Sequence, residues 1–216
     1  MKNTDKPRKI DRILHALFAA PARFLFRVHV HGRENIPASG GYVLVCNHIA
    51  LFDVIVLSAS FPRRRMPKYL AKAELFRIPV IRGICRAFGA VPVERTRGDV
   101  GAIRRSIEVA KGGEILAVFP QGTRQKGKNP ADTPIKPGSA MIAARAGVPI
   151  LPVCIRIKKE RYAFLRRVDI IIGQPLSLDT LGLLGDEPNF REAADAAFSA
   201  VCELGGYRPS ALFESV

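Results

Sequence analysis

Short apolar runs recur along the chain at 26–30, 42–46, 68–71, 90–94, 115–119, 150–155 and 168–172, with helical patterns between them. This alternation constrains the fold more than any other feature. The run at 42–46, YVLVC, is apolar at every position instead of every second one, so a strand made from it is covered on both faces. The clearest helix is expected over 99–111, capped by Asp99, apolar at Val100, Ile103, Ile107 and Ala110, and stopped by Gly112 and Gly113. Others are expected over 139–146, ending at Gly147, and over 190–204, with Ala194, Ala197, Phe198 and Val201 on one face. The reading is an α/β fold: a single domain with a mixed β-sheet flanked by helices. With 216 residues and 48% hydrophobic content, the chain is large enough to bury such a core.

The N-terminal segment is of a different kind. Over 8–27, Ile10, Ile13, Leu14, Leu17, Phe18, Phe24 and Leu25 are interleaved with Lys9, Arg12, Arg23 and Arg27. That pattern predicts a basic amphipathic helix, broken or kinked at Pro21, that lies in a membrane interface or packs on the domain. The chain divides accordingly into a membrane-docking segment, 1–27, and a main domain, 28–216. The AxA form of Ala20, Pro21 and Ala22 fits a signal-peptide cleavage site poorly, because His15 interrupts an already short apolar stretch. No run reaches the roughly 18 apolar residues of a membrane-spanning helix. The 34 Lys and Arg against 19 Asp and Glu give a net charge of +15, which calls for an anionic partner. Four widely spaced cysteines without metal-finger spacing fit reduced thiols in the cytosol.

The stretch CNHIALFD over 46–53 carries the chemistry. His48 ends an apolar run and Asp53 opens the next, VIVL, which reads as the start of a helix. Five residues is an odd step on a strand and about 140° off-face on a helix, so only a turn brings the two together. Joined, they form a base and its orienter, with the second ring nitrogen free to take a proton. Arg95 and Arg124 each follow a strand-like run, and their guanidinium groups match a phosphate. Gly122 and Thr123 add a tight turn whose N–H groups are read as facing an anion.

His48 and Asp53 fit an N-H-x4-D signature that begins at Asn47. With AKAELFRIP over 71–79, GAVPVER over 89–95, FPQGTR over 119–124, Lys136-Pro137-Gly138 and AGVP over 146–149, the region from about 42 to 156 resembles the glycerolipid acyltransferases, the family typified by 1-acylglycerol-3-phosphate acyltransferase. The resemblance implies that His48 is the general base on the free hydroxyl of lysophosphatidate and that Asp53 orients it. It implies that Arg95 and Arg124 hold the acceptor phosphate, with Lys72 a further cation. Asn47, Gln121, Gly122 and Thr123 are placed in the substrate site, and the segment 148–153 helps to shape it. The donor is an acyl-CoA or acyl-carrier-protein thioester, with no other cofactor and no metal. The expected place of work is the cytoplasmic face of an anionic cell membrane, as a peripheral protein. The chain departs from the family pattern at Gln121, where Glu is usual, and at Ile49 and Ala50, where a small polar residue is common.

Rival readings remain at this level. Another lysophospholipid is an alternative acceptor. Cys46 and His48 are a possible thiol and base, and His29 and His31 share zinc-like spacing, yet a buried-strand cysteine and an exposed strand face explain them better. The basic runs at 63–65 and 156–167 would suit nucleic acid, but Trp is absent and aromatics are 7%, so stacking platforms are sparse and no nucleic acid is expected. Docking on an anionic bilayer accounts for the same charge. A non-catalytic lipid-binding protein is the third possibility.

Overall fold

The computed structural model describes residues 9–93 and 100–210, apart from the side chains of 9–12, 14, 15 and 72. Its helices are α1 (Lys9–Leu25), α2 (Phe52–Ser60), α3 (Pro79–Ala87), α4 (Val100–Lys111), α5 (Gly138–Ala146) and α6 (Phe190–Gly205). Its strands are β1 (Val28–His31), β2 (Tyr42–Cys46), β3 (Tyr69–Lys72), β4 (Ala90–Val93), β5 (Ile115–Val118), β6 (Ile150–Ile157) and β7 (Val168–Ile172).

The main sheet runs β1-β7-β6-β2-β5, and its single antiparallel pair is β6 with β7. The parallel pair β3-β4 continues it through a bridge from Lys68 to Leu116 on β5. The sheet is therefore mixed. Two apolar layers cover it. One joins Leu44 and Cys46 of β2 to Val56 and Leu57 of α2. The other joins Val43 and Val45 to residues of α4, α5 and α6, among them Ala110, Ala143 and Ala197. Full coverage is why β2 is apolar at every position. The charged residues of β6 and β7, Arg156 and Asp169, pair with each other across the strands.

The connections position the site. After β2 the chain enters α2 on one face, and after β5 it reaches α5 on the other. Connections that leave adjacent parallel strands toward opposite faces open a crevice at their carboxyl ends, where α/β sheets take their ligands.

The N-terminal helix differs from expectation. It runs through Pro21 without a break. Proline deprives the carbonyl four residues earlier of its partner, and here that residue is Leu17, which is on the exposed side. Arg27, at φ 40, ends the segment, so β1 begins two residues later than the apolar run at 26–30 suggests. Helix α1 packs on α2 and α3 through Ala19, Ala59, Ala87 and Phe88. Its larger residues point away: Ile13 and Leu17 are each 61% exposed and Phe24 is 76% exposed. One stripe thus packs on the domain and its neighbour does not. Asp99, the expected cap of α4, lies outside the described residues.

Candidate active site

His48 leaves the carboxyl end of β2, and Asp53 sits in the first turn of α2. The chain between them wraps around the carboxylate: Asp53 Oδ2 accepts from the N–H groups of Ile49 at 2.6 Å and Ala50 at 2.9 Å. The same oxygen lies 2.7 Å from His48 Nδ1. An oxygen that already collects backbone donors is an acceptor toward the ring, so Nδ1 carries the proton and Nε2 presents its lone pair. The five-residue spacing is the length of this wrap. Asp53 is fully buried, whereas the His48 side chain is 17% exposed, enough to meet a reactant.

Three further contacts hold the histidine. Its ring stacks on Phe119, with centroids 4.1 Å apart and planes at 18°. Its N–H donates to Gln121 Oε1 at 2.7 Å, and its carbonyl accepts from the Gln125 N–H at 2.8 Å. The loop after β5 thus grips the His48 peptide on both sides. This grip and the Phe119 stack escaped the sequence reading, because they join segments about 70 residues apart.

Several expected substrate contacts prove to be supports. Asn47 is buried, and its amide both donates to the Ile155 carbonyl and accepts from the Ile155 N–H, each at 2.8 Å. It imitates a strand partner for β6 and, fully buried, presents no surface to a ligand. Gln121 is also buried: while Oε1 takes the His48 N–H, Nε2 donates to Thr133 Oγ1 at 2.6 Å. The Gly122 N–H is committed to the Phe119 carbonyl at 3.0 Å, so it faces no anion. Thr123 is exposed, and its hydroxyl accepts from Gln125 Nε2.

Arg124 is exposed and has no ion-pair partner among the described residues, one position from the Gln125 bond to His48. Lys136, named from the sequence only within a motif block and not as a site residue, lays its stem over Gly122, where an added Cβ would meet Lys136 Cε at 3.3 Å. Two cations therefore flank this turn. Arg95 and the Lys72 side chain lie outside the described residues. The strand that leads toward Arg95, β4, runs parallel with β3 and ends at Val93.

Other candidates resolve simply. Cys46 is fully buried, and burial pushes its thiol well up, so it stays protonated and is no nucleophile. His31 Nε2 lies 3.0 Å from Asp169 Oδ1, a carboxylate that also meets Arg167 and Arg156. Within the 63–65 run, Arg65 is buried and donates to the carbonyls of Pro37, Gly40 and Gly113. It ties three loops together and is not available to a bilayer.

Comparison with known proteins bears on the family and the fold. Residues 27–156 match the family described as Acyltransferase. The 1-acyl-sn-glycerol-3-phosphate acyltransferase of Bacillus subtilis is 32% identical over 179 residues, which is 82% of this chain and 87% of that one. The chloroplastic 1-acyl-sn-glycerol-3-phosphate acyltransferase BAT2 of Brassica napus is 32% identical over 152 residues, 68% of this chain but only 43% of the longer plant protein. Among solved structures, the 1-acyl-sn-glycerophosphate (LPA) acyltransferase PlsC of Thermotoga maritima superposes with a TM-score of 0.68 at 28% identity, covering 97% of this chain and 86% of that one.

Proposed function

Since the chain belongs to the acyltransferase family, we propose that it transfers a fatty acyl group from an acyl thioester to the sn-2 hydroxyl of lysophosphatidic acid, giving phosphatidic acid. The observation that carries this reading is the 2.7 Å contact of His48 Nδ1 with a buried, backbone-bonded Asp53, on a histidine side chain that is itself 17% exposed at the carboxyl end of β2.

The steps follow from that geometry. His48 Nε2 takes the proton of the acceptor hydroxyl as its oxygen attacks the thioester carbonyl. Asp53 fixes the ring tautomer and stabilises the imidazolium that forms. The tetrahedral intermediate collapses by expelling the thiolate, and the imidazolium returns the proton to sulfur. A thiol of pKa near 8.5 departs without much acid assistance, so the main demand is on activating the alcohol. Holding the two reactants together supplies much of the remaining acceleration. The chemistry calls on no cofactor besides the donor. Arg124, with Arg95 and Lys72, is assigned to the acceptor phosphate, and Lys136 joins them by its place over Gly122.

The work is assigned to the cytoplasmic surface of an anionic membrane, on which the protein is peripheral. Among the described residues, no helix is long and apolar enough to cross a bilayer. The exposed stripe of α1 supports docking instead, and it is continuous with a second apolar edge. The Leu165 N–H donates to the Leu25 carbonyl at 2.7 Å, and Phe164 beside it is 74% exposed. Arg23, Arg27, Arg166 and Arg167 flank these residues, which is the composition of an interfacial surface.

The direct test offers the protein palmitoyl-CoA or palmitoyl-carrier protein together with lysophosphatidate or other lysophospholipids in vesicles, with products read by mass spectrometry. Phosphatidate formation with thiol release is expected. Turnover only with a different lysophospholipid would shift the acceptor, and none with any pair would overturn the reading.

A further inference from the structure

Tyr162 lies past β6, outside the motif blocks that mark the family, yet its hydroxyl ends on the catalytic carboxylate. The Tyr162 O–H donates to Asp53 Oδ1 at 2.8 Å. Asp53 Oδ2 is crowded, taking the N–H groups of Ile49 and Ala50 as well as the His48 ring. Tyr162 supplies the hydrogen bond on the other oxygen. The two oxygens are therefore fixed from opposite sides, and the carboxylate plane cannot turn about its Cβ–Cγ bond without losing one set of partners. Backbone donors alone would leave Oδ1 buried and unbonded, which penalises the ionised form that His48 needs beside it.

The phenol is itself held in place. Its ring packs edge-on against Phe26, centroids 5.0 Å apart, and meets Phe52 at 5.8 Å. Burial first, and then the Asp53 charge, pushes the phenol well above its ordinary range, so it remains a donor at any working pH.

We propose that Tyr162 is a positioning residue for the transfer reaction: through its hydrogen bond to Oδ1 it holds the Asp53 carboxylate in the orientation that directs His48. It touches no substrate. The inference rests on the base assignment made above and adds a third member to the pair.

Steady-state kinetics with lysophosphatidate and palmitoyl-CoA test it, using Tyr162→Phe, which keeps the ring and its packing. The expected result is a kcat lowered about 10- to 100-fold, the range that one charge-assisted hydrogen bond carries, with both KM values within about twofold. A purely structural role would instead lower thermal stability and the fraction of active protein. The decisive comparison is in the Asp53→Ala background, where adding Tyr162→Phe should change the residual kcat by less than about twofold, because the acceptor it acts through has gone. An equal fall in both backgrounds, or natural kcat in Tyr162→Phe, would overturn the proposal. His48→Ala separates this inference from its premise: if that variant is inactive while Tyr162→Phe is normal, only the inference fails, and if it turns over normally, both fail.

Discussion

Gln121 shows how much one side chain can decide. Its carbonyl oxygen holds the His48 N–H and its amide nitrogen donates to the Thr133 hydroxyl, which in turn donates to the Pro130 carbonyl at 2.6 Å. A carboxylate there could keep the first contact but not the second, because it has no donor, and Thr133 would have to abandon Pro130 to serve it. Gln121→Glu is therefore expected to leave kcat unchanged or lower it by up to about tenfold, the scale of one buried hydrogen bond. A several-fold gain in initial rate would show that a charge at 121 is needed for Arg124, against this account. Arg124 has a separate test. Replacement by Lys keeps the charge but loses the bidentate fork, so the KM for lysophosphatidate should rise by about fivefold or more while the donor KM changes less. Equal rises in both would point to a folding defect.

Among the elements, the turn after β6 carries the strongest pH signature. Lys159 and Glu160 both have positive φ, and the Gly127 N–H donates to the Glu160 carbonyl. Glu160 Oε1 accepts from the Tyr207 hydroxyl at 2.8 Å, while Oε2 is buried with no hydrogen-bond partner among the described residues. Burial, aided by the Asp53 charge and opposed by the Tyr207 bond, raises the carboxyl from 4.5 to about 7. The folded chain then holds a proton that the unfolded chain has released, so this contribution to stability is complete below about pH 4.5 and is lost as pH rises through 7. Glu160→Gln should flatten the decline in Tm over that interval, as followed by thermal unfolding at a series of pH values. An unchanged slope would contradict the assignment. The same scale shows what was legible beforehand. Strands buried on both faces announce themselves as unbroken apolar runs, and α4 to α6 by period and by glycine stops. Helix α3 does not stand out in the sequence: it has only nine residues, Gly83 lies at its centre and Val80 is 73% exposed, so its covered edge, ending at Ile84 and Ala87, is a short pattern. In the site, the His48–Asp53 pair was readable because five residues and one turn contain it. Gln121–Thr133, Asn47–Ile155 and Tyr162–Asp53 were not, because a long-range contact leaves no local period.

For the molecule as a whole, the proposed membrane docking rests on the net charge of +15 and on the outward apolar stripe of α1. Since Ala19 and Ala22 face inward, Ile13, Leu17 and Phe24 can be changed to Ser without opening the domain. Each apolar side chain moved from water to lipid contributes about 1.5–3 kcal/mol, so the triple variant should bind anionic vesicles at least about 100-fold more weakly in sedimentation assays. It should still process a short-chain thioester in solution. Unchanged vesicle binding would remove α1 from the docking surface. The proposed reaction turns on one proton transfer, for which the fold supplies a fully buried orienter, Asp53, and a partly exposed histidine. The most direct measurement is therefore the initial rate of phosphatidate formation by His48→Ala, compared with the natural chain at equal thermal stability. General-base catalysis is worth about 10²- to 10⁴-fold, and a loss in that range with near-normal KM values is the result expected. A correctly folded His48→Ala protein working within about twofold of the natural rate would contradict the account, since no proton acceptor of that strength would then have been removed.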